Sequence, residues 1–320
     1  MRAAVLARLG APVHGDFEEP VADGEQIVLD VLAAGVNHLD VGICAGAVPG
    51  LAPMLPSVAG SDGVGRASDG RRFFFDTPIR PFGALAERTL VRPSELLPVH
   101  DDVDSVTAAA LGNAGIAATI SILWRASLQP GEKVLVLGAT GAVGQIAVQL
   151  ARVTGAERVV GVARDPERLN ALKDRGADAV VALDVGAEQL HERILEAAGG
   201  PVDVIIDMLW GSVALAAMKA AAVGARLVQV GQQAGAESML PSALVRGRRL
   251  VIAGTASGLE PRPVRAEAYE RLLALVAAGE VTVNVDARPL AQVGEAWKRQ
   301  VAGPTQKQVL VPTRAVHSAS

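Results

Sequence analysis

Val134-Leu135-Val136-Leu137-Gly138-Ala139-Thr140-Gly141-Ala142-Val143-Gly144 runs a short apolar strand into a glycine-rich turn and straight on into an apolar helix. A strand written as an unbroken run of Val and Leu is one covered on both faces, as in a parallel sheet. In the G-x-G-x-x-G pattern the glycines permit a tight turn, close approach of a pyrophosphate, and close packing of helix on strand. Ala139 holds the first of those positions here, and Gly141 and Gly144 hold the second and third. The helix N-terminus offers free N–H groups and a positive dipole end to phosphates. Taken alone, the same residues also describe an ordinary strand-to-helix turn. The neighbouring sequence decides between the two.

Downstream, strand and helix alternate. Strands are expected at Lys133–Leu137, Arg158–Val162, Ala179–Leu183, Val202–Asp207, Arg226–Val230 and Arg249–Ala253. Helices are expected at Gly144–Thr154, Pro166–Arg175, Glu188–Ala198 and Val213–Ala222. This rhythm predicts an α/β fold with a doubly wound parallel sheet, helices on both faces, and dinucleotide binding at the first turn. Upstream, the first hundred or so residues are irregular, with short strand-like pieces such as Gln26–Leu32 between Gly and Pro turns. Residues 105–126 form an Ala-rich apolar segment. The tail carries a helical pattern at Arg265–Ala278, a strand at Val281–Val285, a helix around Val293–Val301 and a strand at Gln308–Pro312. Two lobes are expected, residues 116–255 being a nucleotide-binding lobe inserted into one made of residues 1–115 and 256–320.

Composition agrees with a large buried core. Of 320 residues, 50% are hydrophobic and 20% charged, while aromatics make up only 3%, so Ala, Val, Leu and Ile must build the interior. The net charge of −4 and the lack of a long basic run argue against a nucleic-acid binder or an anionic membrane surface. The lone cysteine, Cys44, excludes an internal disulfide and any multi-cysteine zinc site. Arg8 interrupts the N-terminal apolar run, and no uninterrupted apolar stretch of about 20 residues follows, so a soluble cytoplasmic protein is expected.

The second strand of the nucleotide lobe identifies the dinucleotide. An NAD site wants Asp or Glu at that strand's tip for the ribose hydroxyls. Val159-Val160-Gly161-Val162 ends instead in Ala163-Arg164, with Arg168 one helical turn later. Guanidinium groups suit a 2′-phosphate by charge and by forked geometry, which points to NADP(H). The plainer alternative is a pair of solvated arginines partly neutralised by Asp165.

Gly35-Val36-Asn37-His38-Leu39-Asp40 and Leu55-Pro56-Ser57-Val58-Ala59-Gly60-Ser61-Asp62-Gly63-Val64-Gly65 resemble the catalytic lobe of the medium-chain dehydrogenase/reductases. Pro130–Val136, the Gly138–Gly144 turn and Gly176-Ala177-Asp178 resemble their nucleotide lobe. In style the chain is similar to the zinc-independent quinone oxidoreductases and zeta-crystallins. The resemblance implies a Rossmann sheet plus a mostly β, GroES-like catalytic domain, with the nicotinamide in a cleft between lobes and dimers joined through the edges of the nucleotide sheets. It also implies hydride transfer from NADPH to a quinone or to the β-carbon of an α,β-unsaturated carbonyl compound. The cofactor-binding set it implies is Asn37, Gly138, Ala139, Thr140, Gly141, Ala142, Val143, Gly144, Arg164, Arg168, Met208, Leu209, Val230, Gly231 and Gln232. Asn37 is the candidate contact to the nicotinamide or the substrate oxygen, its alternative role being to satisfy a local turn.

The zinc alcohol dehydrogenases of that superfamily hold their metal with a Cys where this chain has Asn37 and a His where it has Ser61. Asn and Ser are poor zinc ligands, and Asp62 and His38 supply no third, so no metal is expected. Relatives often carry a Tyr where this chain has Val48, so the proton must come from solvent or the acceptor must be a quinone. Phe73, Phe74 and Phe75 read as a buried strand or as rings lining a pocket for a flat substrate. Trp210 either overhangs the nicotinamide or caps the core. Cys44 and Tyr269 read as packing residues, and His14, His100, His191 and His317 as surface residues. Three functions fit: a quinone or enone reductase, a reductase of a specialised biosynthetic intermediate, and an NADPH-binding protein with little turnover.

Overall fold

The computed structural model describes residues 1–312. Its first strands are β1 (Arg2–Leu6), β2 (Val13–Asp16) and β3 (Ile27–Gly35), followed by helix α1 (His38–Cys44). Then come β4 (Ser57–Val58), β5 (Gly63–Arg66), β6 (Arg72–Phe75), β7 (Arg88–Val91), β8 (Leu97–Pro98) and α2 (Ser105–Thr119). The alternating region holds β9 (Lys133–Leu137), α3 (Ala142–Val153), β10 (Arg158–Ala163), α4 (Pro166–Asn170), β11 (Ala179–Ala182), α5 (Ala187–Ala198), β12 (Val202–Asp207), α6 (Gly211–Lys219) and β13 (Ala221–Gln229). The tail adds α7 (Ser242–Arg248), β14 (Val251–Gly254), α8 (Arg262–Ala277), β15 (Val285–Pro289), α9 (Val293–Ala302) and β16 (Lys307–Val311). Two units emerge: one from Met1–Ala114, Tyr269–Ala277 and residues 283–312, the other from Gly115–Ala268 with Ala278–Thr282.

The second unit is a six-stranded sheet in the order β11-β10-β9-β12-β13-β14, every pair parallel. The chain enters at the centre on β9, works outward to β11, then crosses back to β12 on the other side of β9. That reversal places a crevice beyond the C-terminal ends of β9 and β12, where such sheets take their ligands. Leu135, Leu137, Val160, Val162, Ile205 and Leu227 from the strands pack with Leu190, Ile194, Ala217 and Met218 from the helices. Each large apolar side chain so buried contributes roughly 1.5–3 kcal/mol. In α3 every residue from Gly144 to Ala151 is buried, so this helix is apolar nearly all round and sits inside the unit.

The first unit holds a three-stranded sheet, β2-β1-β4, and a seven-stranded sheet, β15-β16-β3-β5-β6-β8 with β7 also paired to β3. Leu6, Leu29, Val36, Phe75, Leu85, Trp297 and Leu310 are part of its core. The fold class is therefore the expected one: a doubly wound parallel sheet plus a mostly β lobe.

Several elements differ from their expected spans, for visible reasons. The tail strand begins at Val285 and not at Val281, because Val281 is buried and Thr282 is held by a side chain. Thr282 N–H donates to Gln149 Oε1 (2.9 Å) and Gln149 Nε2 donates to the Thr282 carbonyl (2.9 Å), which replaces ladder bonds. The helix expected at Pro166–Arg175 stops at Asn170 and resumes as a single 3₁₀ turn at Lys173–Arg175. The Ala-rich segment is helical, but Gly112 leaves helical geometry (φ −40°, ψ −109°). A Cβ there would lie 2.2 Å from the Phe74 ring and 2.7 Å from Asp62 Oδ2, so only glycine fits. The helical run Ser105–Arg125 has the length and apolarity of a membrane span. Its most apolar 18-residue window is 78% buried, as in a core helix.

Candidate active site

The glycine turn sits where the crevice requires it. Gly138 and Ala139 N–H groups donate to the Val162 carbonyl at 2.8 and 3.1 Å, pinning the turn to the neighbouring strand tip. Gly141 caps α3 with extended backbone, so the first N–H groups of the helix point outward without helical partners. The close-packing requirement falls on Gly144, where a Cβ would lie 2.4 Å from the Gly138 carbonyl oxygen and 2.6 Å from Ala139 Cα. At Gly141 the nearest atom to a Cβ is 3.5 Å away, so that glycine leaves space in front of the turn. This cradle is what a pyrophosphate needs.

Arg164 stands exposed just past β10, and among the described residues it forms no ion pair. Arg168 is exposed too, with its Nε 3.0 Å from Asp165 Oδ2. Asp165 also caps α4, accepting from Glu167 and Arg168 N–H at 3.0 and 3.2 Å. One guanidinium is free for a 2′-phosphate and the other is shared with a carboxylate.

Met208 and Leu209 leave the end of β12, and Val230, Gly231 and Gln232 leave the end of β13. The Asp207 carbonyl accepts from Val230 N–H (2.7 Å) and Gly231 N–H (3.2 Å), locking the two turns together. Met208 and Leu209 side chains flank Gly138, 3.4 and 3.3 Å from where its Cβ would be. Three sequence-distant turns thus meet at one end of the second unit's sheet. Asp207 is fully buried; its Oδ1 accepts from Leu209 and Trp210 N–H, while Oδ2 has no hydrogen-bond partner. Burial pushes the Asp207 carboxyl pKa up from its ordinary value, and the two N–H bonds oppose that.

Asn37 lies in the first unit, inside a buried polar cluster. It caps α1, its N–H donating to Asp40 Oδ2 at 2.7 Å. Its Nδ2 donates to Asp62 Oδ1 (2.6 Å) and Asp40 Oδ2 (3.1 Å), and its Oδ1 accepts from Lys307 Nζ. Lys307 Nζ also donates to the Val36 carbonyl (3.1 Å), and Asp62 Oδ2 accepts from Asn113 N–H (2.9 Å) at the Gly112 break. Asn37, Asp40, Asp62 and Lys307 are all buried. Both amide hydrogens of Asn37 are therefore engaged, and contact with the nicotinamide or a substrate oxygen would require giving one up. Burial pushes the Asp62 carboxyl up to about 6; Lys307 pulls it down and Asp40 pushes it further up. Asp40 is raised by burial, against the nearby Ser61 hydroxyl, Asn37 and Lys307. The Ser61 Oγ itself is buried without a well-formed hydrogen bond. Lys307 is lowered by burial, against the pull of both carboxylates, and His38 is lowered by burial and by Lys307.

The remaining candidates are structural. Phe74 and Phe75 are fully buried in β6, and Phe74 stacks on Tyr269 with ring centroids 4.8 Å apart. Tyr269 donates its hydroxyl to the Ala108 carbonyl (2.9 Å). Cys44 is buried, and desolvation pushes its thiol up to about 12, as in an inert packing residue. His14, His100 and His191 are half-buried, and His317 lies outside the described residues.

Residues 142–278 match the family model described as zinc-binding dehydrogenase. A quinone oxidoreductase from Thermus thermophilus, solved alone and with NADPH, is 31% identical. The match covers 97% of this chain and all of that one, with a TM-score of 0.83. The chain belongs to the quinone oxidoreductase family of medium-chain dehydrogenase/reductases. The rat quinone oxidoreductase is 30% identical over 246 residues, 72% of this chain and 73% of that protein. A phenolphthiocerol/phthiocerol polyketide synthase subunit from Mycobacterium tuberculosis is 27% identical over 331 residues, 97% of this chain and 15% of that protein.

In this quinone oxidoreductase family member, no three His, Cys, Asp or Glu side chains among the described residues group to hold a metal ion. The sequence reading missed Asp40 and Lys307 and weighed Asp62 only as a metal ligand. A usable signal existed at Lys307: the run Gln308-Val309-Leu310 marks a strand covered on both faces, so a lysine at its start is buried and must be paired.

Proposed function

We propose that this chain transfers hydride from NADPH to a quinone or to the β-carbon of an α,β-unsaturated carbonyl compound, without a metal. The observation that carries the reading is the convergence of the 138–144, 208–210 and 230–232 turns at the C-terminal ends of β9, β12 and β13, with a cradle at Gly144 that no Cβ can occupy. Gly138, Ala139, Thr140, Gly141, Ala142, Val143 and Gly144 would receive the pyrophosphate on backbone N–H groups. Arg164 and, after release from Asp165, Arg168 would hold the 2′-phosphate. Met208, Leu209, Val230, Gly231 and Gln232 would line the nicotinamide side. Bound NADPH supplies the hydride.

The acceptor becomes an oxyanion or enolate that needs a proton. With the Asn37 hydrogens already given to carboxylates and Val48 at the position of the relatives' Tyr, solvent delivers that proton. Hydride addition to a quinone leaves a hydroquinone monoanion, which takes its one remaining proton from water readily, and this favours quinones. Positioning of donor and acceptor then carries most of the rate enhancement. A second reading, reduction of a specialised biosynthetic intermediate, draws on the polyketide synthase subunit to which nearly the whole chain is similar.

The same reading includes a cytoplasmic homodimer. β14 is the outer strand of the parallel sheet and exposes Val251 and Ile252, an open edge of the kind that pairs with a second copy. Sedimentation velocity tests it, and a monomer at micromolar concentration would overturn it. The test of function is loss of the near-ultraviolet absorbance of NADPH with benzoquinone, phenanthrenequinone and a simple enone, with NADH in parallel. Rapid, NADPH-selective turnover is expected. No turnover with any of the three, despite measurable NADPH binding, would move the assignment to the specialised intermediate or to NADPH binding with little turnover.

A further inference from the structure

Trp210 occupies a backbone conformation suited to glycine. Its φ is +59° and its ψ −161°, outside both the helical and extended regions for a residue with a side chain. Such a residue persists only where its surroundings over-determine it, and here they do. Asp207 Oδ1 accepts from Trp210 N–H (2.9 Å) and from Leu209 N–H (2.8 Å). From the facing loop, Gln233 N–H donates to the Met208 carbonyl (3.2 Å) and Ala234 N–H to the Leu209 carbonyl (2.8 Å). Ser238 Oγ donates to the Gly211 carbonyl (3.2 Å). A glycine at 210 would need none of this reinforcement. The turn sits at the mouth of the crevice, next to Gly138, and the indole packs on the unit's core with part of its surface left open.

We propose that Trp210 is a ligand-binding residue whose open indole surface packs on the nicotinamide end of the bound dinucleotide. The proposal rests on the reading of this crevice as the NADP(H) site. A large aromatic held at a glycine position, on the turn beside the phosphate cradle, supplies a flat wall where the planar ring must be oriented. Asp207 acts through the turn as a positioning residue.

Tryptophan fluorescence tests this directly. NADP⁺ does not accept energy from indole as NADPH does, so quenching by NADP⁺ reports contact. The full-length protein is titrated with NADP⁺ and with 2′,5′-ADP, which carries only the adenine half, alongside W210F and calorimetry of each. The expected result is quenching by NADP⁺ and not by 2′,5′-ADP, lost in W210F although calorimetry still detects binding. The companion pair is W210G and W210A: both delete the indole, but only glycine suits the backbone. W210G should melt about 2–8 °C above W210A while binding NADP⁺ at least about tenfold more weakly than wild type.

Quenching that persists in W210F, equal quenching by 2′,5′-ADP, or wild-type affinity in W210G would each overturn the role of Trp210 and leave the dinucleotide site standing. Absence of any NADP⁺ or NADPH binding to wild type would overturn the site and the proposal together.

Discussion

Replacing Lys307 with Met keeps most of the apolar stem and removes the Nζ cation from the Asn37–Asp40–Asp62 cluster. Two hydrogen bonds from Nζ vanish, leaving the Val36 carbonyl and Asn37 Oδ1 buried without a donor. Each such orphan costs about 1–3 kcal/mol. The two carboxylates lose their countercharge, and breaking a buried ion pair from one side costs about 3–5 kcal/mol. These costs overlap, because the carboxylates respond by taking a proton, so the expected net loss is about 4 kcal/mol. That is a large share of the ~5–15 kcal/mol available to a folded domain.

The measurement is urea unfolding followed by circular dichroism near neutral pH, on K307M, D62N and the double variant. K307M should lose about 4 kcal/mol, and the double variant should lose at least about 1 kcal/mol less than the two singles added, because their costs share one interaction. A K307M protein within about 1 kcal/mol of wild type, or strict additivity, would refute the claim that these charges sustain one another.

The same cluster sets a pH dependence. Asp62 keeps its proton in the fold up to about 6 and loses it near 3.8 when unfolded, so its contribution is complete below the lower value and is lost as pH rises through the upper one. Relative to wild type, D62N should therefore gain about 3 kcal/mol between pH 4 and 6 and stay level above; a difference independent of pH would count against a raised Asp62. G144A should lose about 1–3 kcal/mol of stability by overpacking, whereas G141A should melt like wild type yet bind NADPH at least about tenfold more weakly, both read by thermal melts and calorimetry. Equal melting of the two would contradict the cradle. R164A/R168A should weaken NADPH far more than NADH, and equal losses would exclude a 2′-phosphate role.

The parts of the molecule that were legible in the sequence are those whose chemistry is local. The run from Val134 to Gly144 carries strand, turn and helix within eleven consecutive residues, and the alternation behind it repeats the same signal. The Asn37 cluster joins residues 25 and 270 positions apart. Asp40 reads as a helix-start acid, Lys307 as a strand-edge lysine, and their pairing exists only after β16 comes to lie beside β3. The Gly112 break was hidden for a related reason: a glycine in an Ala-rich helix is locally unremarked, and only the approach of Phe74 and Asp62 makes it obligatory. Trp210 shows a third kind of limit. Sequence offered two roles for it, and its backbone angles, which no propensity predicts, bring the ligand reading forward.

The saturation of the Asn37 carboxamide also works as a ratchet on descent. Changing Asn37 to Cys would take one side-chain partner from Asp40, Asp62 and Lys307 at once, leaving each with the bond it keeps to a backbone group. Changing Ser61 to His would put a larger ring where a buried hydroxyl now has no hydrogen-bond partner. A lineage that has filled this space with an amide, two acids and a lysine therefore disturbs all four groups with any change at residue 37.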